Sequence, residues 1–526
     1  MIGTERGSAG GASSPQTWLA IWVVGIIACS ILLLVHAYSY NYVVDDAYIS
    51  FRYAQNLADG KGLIFNPGER VEGYTNFLWV MITALGVKLG MDPVGLSKAL
   101  GFGFAILSML VVFRYAKVVY GQQGLMRLAP LALLAASPPL AVWALAGLET
   151  TMFAFLVTLA VLSHVRATEK GRLPLVSAAV LVLAALTRPE GLVFAMILLL
   201  DLVIAYRLRP KVMLWLLPFL VVYLPYFIWR YQYYGYLFPN TFYAKTGGGL
   251  GPLARGLTYV TNYVRTSGGL LILMILVAPF LCRQRKIVLP LIACVTWAGY
   301  VVAIGGDGLA MYRFIVPVLG LCSLLIIYTL VSVFTRAFAS SAARTRSAAL
   351  GIILGLAVLL TVSNSLGSKE KDFVLEDRIR VQGNWVPIGK WLRSYAQPGE
   401  SIALTTAGAV PYYSGLYTID MLGINDAEIA HRKMPEMGKG IAGHEKHDIE
   451  YVLSRRPTYI FHYLFLVRRP VVTRDQFITD WNVGLSYLPD HPDFMRMYEP
   501  VSEQIGGYHL NFFRLKREYR GIQRTP

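Results

Sequence analysis

Charge is scarce in this chain. Only 15% of its 526 residues are Asp, Glu, Lys or Arg, against roughly 25% in soluble globular domains, which argues against a soluble enzyme of this length. Disorder is excluded by the same composition, since 55% of the residues are hydrophobic. Gly/Ser-rich low-complexity sequence is confined to the first 14 residues, and no internal repeat is evident. Cysteine is almost absent. Cys29, Cys282, Cys294 and Cys322 lie in or at the end of apolar segments, and the last third of the chain has none. A disulfide scaffold is therefore excluded, and no zinc-ligand spacing is present.

What fills the chain instead is a series of apolar runs of membrane-crossing length. Eleven crossings are expected near 18–38, 97–117, 128–146, 151–166, 174–187, 191–206, 212–229, 268–282, 287–304, 314–334 and 348–366. The first run is long for a signal peptide, and no clear small-residue cleavage site follows it. The expected class is thus a polytopic α-helical membrane protein. Its parts are a cytoplasmic tail (1–17), a membrane domain (18–366) and a soluble α/β domain (367–526). The formal net charge is +17, but residues 369–526 hold 21 basic and 19 acidic residues. The excess therefore belongs to the membrane part, where it reads as topology. Connections 114–127, 166–172, 207–211, 283–286 and 336–346 are basic and are assigned to the cytoplasm. Residues 39–96, 147–150, 188–190, 230–267, 305–313 and the soluble domain then face outward. Tyr74–Leu89 is apolar enough to span, but the loop charges favour an interfacial or re-entrant helix. No basic stretch carries stacking aromatics on a polar surface, so nucleic-acid binding is not expected.

In the soluble part, strands are expected at 401–406, 417–421 and 458–462, alternating with helices near 385–395 and 447–455. Pro398-Gly399 and Pro457 punctuate them.

The most informative segment is Asp45-Asp46-Ala47-Tyr48-Ile49-Ser50-Phe51-Arg52-Tyr53, directly after the first crossing. Two adjacent carboxylates at a membrane boundary are costly unless solvated or used. One can act as general base toward an acceptor hydroxyl. The structural alternative is a solvated helix end. The loop that follows is turned by glycine and proline, and it sets Glu72, Tyr74 and Asn76 against an apolar run.

This loop resembles the first outer loop of the GT-C class of membrane glycosyltransferases. Within that class, it is most similar to the bacterial family that includes the mycobacterial terminal β-(1→2)-arabinofuranosyltransferase. The resemblance continues at Gly147-Leu148-Glu149-Thr150-Thr151, Thr187-Arg188-Pro189-Glu190-Gly191, Gly305-Gly306-Asp307-Gly308 and Tyr312-Arg313-Phe314. In the soluble domain it covers residues 408–415 and 418–423. It implies an inverting transferase on the outer face of the cytoplasmic membrane. The donor would be a polyprenyl-phosphate sugar, and the acceptor a glycan, lipid or protein. It implies an aspartate base, for which Asp45 is favoured over Asp46.

A departing phosphate needs cations. Arg52, Arg188, Lys245 and Arg313 face outward on this topology, Arg188 and Arg313 beside crossings; interfacial anchoring is the structural alternative. Glu149 resembles the second acidic element of these enzymes, and its alternative is a helix N-terminal charge. Asp307 follows two glycines and is otherwise a turn residue. Glu149, Glu72, Tyr74, Asn76 and Asp307 are the expected acceptor or sugar contacts. The aromatics Tyr223, Tyr226, Trp229, Tyr231, Tyr233, Tyr234, Tyr236, Phe238 and Tyr243 read as an interfacial belt, with a sugar or polyprenyl groove as the functional alternative. His431, His444, Glu445, His447 and Asp448 invite a metal reading but lack a convincing third ligand, so acceptor binding or plain surface is preferred. No cofactor is required; some GT-C enzymes carry a divalent cation at the acidic loops, and nothing here demands one. A transporter or flippase of lipid-linked sugar, or a non-catalytic glycan-binding protein, are the competing readings. Transporters place charge near mid-membrane in paired halves, which this sequence does not show.

Overall fold

A computed structural model describes residues 15–522 except 121–123, 208–209, 248, 267–283, most of 338–368, 436, 462–463 and 471–487. Two of the expected crossings, 268–282 and 348–366, lie outside the described residues. The other nine are all helical. The first is α1 (Pro15–Tyr40). Then come α2 (Asp45–Ala58) and α3 (Phe77–Lys88), both in the first loop, and the long α4 (Pro93–Tyr120). The third crossing is broken at Ser137 between α5 (Ala129–Ala136) and α6 (Pro138–Leu145), which bend by 63°. Pro138 and Pro139 explain the break: neither can donate the backbone hydrogen bond that would continue the ladder.

Further along are α7 (Thr150–Glu169), α8 (Leu175–Thr187) and α9 (Gly191–Tyr206). Helical residues 210–234 follow, with a π-bulge at Phe219–Tyr223 just past Pro218. Helices Arg285–Ala303 and Leu319–Ala337 complete the described membrane part. Among the described residues, six helices are long and apolar enough to cross on their own, and the bent pair makes a seventh. α8 and α9 are shorter than a straight crossing requires.

α3 is also short: it has 12 residues, about 18 Å against the ~30 Å of a hydrocarbon core, close to the 13 of α8. Its start contacts Glu149 through Asn76. Just beyond its other end, Asp92 acts electrostatically on Tyr412 and Tyr413 of the soluble domain. Gly73, three residues before Asn76, lies against Asn425 and Ile424 of the soluble domain, so both ends of α3 lie on the side of that domain.

That domain contains a mixed sheet. β1 (Ser401–Leu404) lies between parallel partners β2 (Tyr417–Asp420) and β3 (Tyr459–Ile460). β4 (Leu466–Val467) and β5 (Tyr498–Ile505) both pair antiparallel with β6 (Tyr508–Leu515), which also pairs antiparallel with β3. The three expected strands are present, each somewhat shorter. The β5–β6 hairpin, the longest pairing in the sheet, was not expected. It turns at Gly506-Gly507, both with positive φ, the conformation a two-residue hairpin turn requires.

Candidate active site

The site is built where helix ends meet on the side of the soluble domain. After α1 the chain turns at Asn41 (φ 33°), and the Val44 N–H donates to Ala146 O at 3.1 Å. This pins the start of α2, so that Asp45 and Asp46 form its first turn, where the helix dipole favours negative charge.

The two aspartates have different surroundings. Asp45 accepts from the backbone N–H groups of Gly408 at 3.0 Å and Ala409 at 2.7 Å, one per carboxylate oxygen. It thereby caps the helix Ala409–Ser414, 363 residues away in sequence. Burial pushes its carboxyl up to about 7, helped by the charges of Asp46 and Asp377 and opposed by the two N–H donors. Asp46 is half-buried and has no described hydrogen bond or ion pair. Its charge acts on Tyr42, Asp377 and His444. The Tyr42 hydroxyl also lies in the fields of Arg313 and Asp307.

A second group joins three helix ends. Arg188, just past α8, donates to Glu149 at 2.8 Å and to Glu190 at 3.0 Å. Glu149, just before α7, accepts from Asn76 Nδ2 at 2.6 Å, and Asn76 also bonds Ser50. A third group is the ion pair of Arg313 with Asp307, held by two hydrogen bonds of 2.7 and 3.1 Å. Arg188 and Arg313 stand over the same Phe314 ring, 5.1 and 5.2 Å from its centroid. The sequence forces this placement. Met311 and Tyr312 both adopt left-handed backbone (φ 57° and 48°), and Trp143 Nε1 holds the first by donating to Met311 O at 3.0 Å. Two consecutive residues in that conformation are strained, and such strain collects at functional sites.

Other expected site residues are used differently. Arg52 is buried, and its donors go to Phe65 O (2.8 Å), Pro411 O (2.6 Å), Leu416 O (2.7 Å) and Asn66 Oδ1 (3.1 Å). It clamps the soluble domain and has little capacity left for a phosphate. Glu72 is buried in an ion pair with Arg230, whose Nε donates to it at 3.0 Å. Tyr74 is buried against Tyr53 and Tyr234. Neither reaches the Arg188–Arg313 group through a described contact. Lys245 is half-buried, has no described hydrogen bond or ion pair, and packs against Gly443 beside His444.

Three residues escaped the sequence reading. Glu190 sits within the Arg-Pro-Glu motif, and its Oε2 is buried without a hydrogen-bond partner among the described residues. Asp377, on the helix Lys369–Arg378, faces the aspartate pair, and burial together with the charge of Asp46 pushes its carboxyl up to about 6 against the pull of Arg380. Tyr42 is the third. Glu190 was visible in its motif, whereas Asp377 carries no local signal. No cluster of three or more His, Cys, Asp or Glu residues suited to a metal occurs among the described residues.

Residues 374–515 match a family described only as a domain of unknown function, DUF8728. The chain is 30% identical over 263 residues to the terminal β-(1→2)-arabinofuranosyltransferase of Mycobacterium tuberculosis, covering 47% of this chain and 41% of that protein. Its counterpart in Corynebacterium glutamicum matches at 30% over 100 residues, 18% of this chain and 15% of the relative. The chain thus aligns with less than half the length of either relative. Among solved structures, ArnT of Cupriavidus metallidurans bound to undecaprenyl phosphate superposes with a TM-score of 0.53 at 14% identity, over 77% of this chain and 86% of ArnT. The chain has the GT-C fold. In this fold the aspartate pair of the first loop, the Glu149–Arg188 pair and the Asp307–Arg313 pair gather on one side, at the base of the soluble domain.

Proposed function

We propose that this protein is an integral-membrane glycosyltransferase that moves a sugar from a polyprenyl-phosphate donor to a hydroxylated acceptor on the extracytoplasmic face of the membrane. The observations that carry the reading are an uncommitted carboxylate, Asp46, whose charge acts on the Tyr42 hydroxyl together with those of Arg313 and Asp307, and two arginines, Arg188 and Arg313, fixed over one ring. The mycobacterial relative supports a pentofuranose as the sugar, and the lipid bound to ArnT supports a polyprenyl phosphate as the leaving group.

In this reading the acceptor hydroxyl attacks the anomeric carbon, and its proton passes to Asp46. The C–O bond to phosphate breaks with the electron pair leaving on the polyprenyl phosphate. Asp46 is the better base because both oxygens of Asp45 already accept backbone bonds; Asp45 instead orients the pair. Arg188 and Arg313 each keep N–H groups beyond those given to carboxylates, and Lys245 adds a cation without a described partner. Together they meet the charge that develops on the leaving phosphate, where low local dielectric strengthens the interaction. Glu149 and Asp307 aim the arginines, and Glu190 Oε2 is placed to accept from a donor-sugar hydroxyl.

The test is transfer by the purified full chain in nanodiscs, with farnesyl-phosphate-linked arabinofuranose as donor and a soluble arabinofuranose oligosaccharide as acceptor. A lengthened oligosaccharide is expected. Binding of farnesyl phosphate with no transfer from any pentose or hexose donor would contradict the reading.

A further inference from the structure

Asn76 opens α3, where the Val80 N–H donates to Asn76 O at 3.0 Å, and the mechanism above gives its side chain no part. That side chain is buried. Its Nδ2 donates to Glu149 Oε2 at 2.6 Å and to Ser50 Oγ at 3.0 Å, and its Oδ1 lies 3.2 Å from the same hydroxyl. A carboxylate that holds an arginine only accepts, so Glu149 fixes which way the amide faces. Ser50 is buried on α2, four residues after Asp46, and residues at that spacing share one face of a helix. Glu149 gives its other oxygen to Arg188 at 2.8 Å. Four side chains in direct contact, Ser50, Asn76, Glu149 and Arg188, thus run from the Asp46 face of α2 to a guanidinium.

The backbone around this chain of contacts is held as well. Trp79 Nε1, in the first turn of α3, donates to Gly147 O at 3.2 Å. Gly147 has φ 89°, and a Cβ there would lie 2.9 Å from both Ala47 Cβ and Val43 Cγ1. The turn that ends in Glu149 is therefore packed against the residue next to Asp46, an approach that glycine permits. Glu149 is buried with both oxygens engaged, an arrangement for aiming an arginine rather than for meeting an acceptor. The other arm of that arginine, Nη2, donates to Glu190 Oε1 at 3.0 Å. With the Asn76 amide removed, Glu149 turns about its own side-chain torsions, and Arg188 keeps one fixed carboxylate, two residues away in its own turn.

We infer that Asn76 is a positioning residue: it locks Glu149 to the helix that carries Asp46 and so fixes the direction in which Arg188 meets the donor phosphate. The inference rests on the transferase reading and deepens its donor side. Asn76 acts through Arg188, and is not the acceptor contact expected from the sequence.

The experiment measures farnesyl phosphate affinity for full chains in nanodiscs in two double-mutant cycles, Asn76→Ala with Arg188→Lys and Asn76→Ala with Arg313→Lys. The acceptor KM is followed in the transfer assay above. Asn76→Ala alone should weaken farnesyl phosphate binding on the order of tenfold, the lower end of what a hydrogen bond to a charged group is worth, with the acceptor KM within about twofold of wild type. In the Arg188→Lys background the same substitution should cost less than about twofold, because the fork that Asn76 steers is already gone. In the Arg313→Lys background it should still cost on the order of tenfold, since Asp307 holds Arg313. Ser50→Ala, a milder cut in the same chain of contacts, should weaken binding about threefold and follow the same pattern; it carries the test where Asn76→Ala does not fold. A loss of purely structural origin would appear equally in both backgrounds, and that result would overturn the inference. Unchanged farnesyl phosphate affinity in Asn76→Ala, or a defect confined to the acceptor KM, would overturn it too. A wild-type chain that binds no farnesyl phosphate would overturn the donor reading and this inference with it.

Discussion

At the scale of single residues, the account turns on two neighbours with the same side chain. Asp45 and Asp46 are indistinguishable by type and position, and their difference comes from partners that no local pattern reveals. Asp46→Asn should lower the transfer rate by about 10²–10⁴, the usual contribution of a positioned base, with farnesyl phosphate binding kept. Asp45→Asn should retain measurable transfer while destabilising the chain by about 1.5–3 kcal/mol, because the amide replaces an oxygen that accepts one of two backbone bonds. Single-turnover rates and thermal unfolding of both variants separate the roles. Among the cations, Arg188→Lys and Arg313→Lys should each weaken farnesyl phosphate binding by about 10–100-fold, the range expected for a charge-assisted bond lost with the planar fork. Arg52→Lys should leave that binding unchanged, since the donors of Arg52 serve the soluble domain. Residue chemistry was readable in the sequence. The allocation of hydrogen bonds was not, because the acceptors for Arg52 lie as many as 364 residues away.

At the scale of elements, the apolar runs marked the described crossings well, since each is a continuous stretch of chain. The interfacial expectation for α3 rested on loop charge rather than on its own composition, and its 12 residues are nearly as many as the 13 of α8, so length alone does not set the two apart. The β5–β6 hairpin was missed although Gly506-Gly507 is a strong turn signal; strand pairing depends on facing surfaces that a single pass along the chain does not weigh. The contact between the helix Ala409–Ser414 and α2 is close enough to test sterically. A Cβ at Gly408 would lie 2.0 Å from Asp45 O and 2.6 Å from its carboxyl carbon. Gly408→Ala should therefore lower the unfolding temperature and transfer together, whereas Gly399→Ala, which meets nothing within 4 Å but has φ 86°, should cost only the roughly 1 kcal/mol of left-handed backbone. A second polar group lies near the opposite end of α7, about 21 Å along the helix from Thr150. There Asp201 bonds His164 at 2.8 Å and Arg285 at 3.1 Å. Asp201→Ala should cost about 1–3 kcal/mol, as for charged hydrogen bonds lost from a half-buried group, without altering the acceptor KM of the folded fraction.

At the scale of the whole molecule, the soluble domain is bound to the first loop, and to the later connection that carries Asn240, by a distributed set of polar contacts. Asp45 and Arg52 are joined by Asn66, which donates to Thr418 O at 2.8 Å, and by Asn240, which donates to Gly423 O at 2.8 Å. Glu69 adds a cluster with Tyr417 and Arg455. This docking carries a pH signature. The Asp45 carboxyl is pushed up to about 7, with burial the main cause, so the folded state holds its proton more tightly than the unfolded one. The stabilisation this gives is full below the ordinary carboxylate value near 4 and is lost as pH rises through 7. Asp377, pushed up to about 6, adds the same sign over a lower window. Thermal stability of the wild type should therefore decline from pH 5 to pH 8, and the decline should be shallower in Asp45→Asn. An identical slope in the variant would remove Asp45 as its source. The central claim is that one cavity beneath the soluble domain holds both the base and the phosphate. A cryo-EM structure of the full chain with farnesyl phosphate tests it most directly. The phosphate should lie among Arg188, Arg313 and Lys245 with Asp46 facing the open side; a phosphate bound elsewhere, with Asp46 turned away from it, would contradict the account.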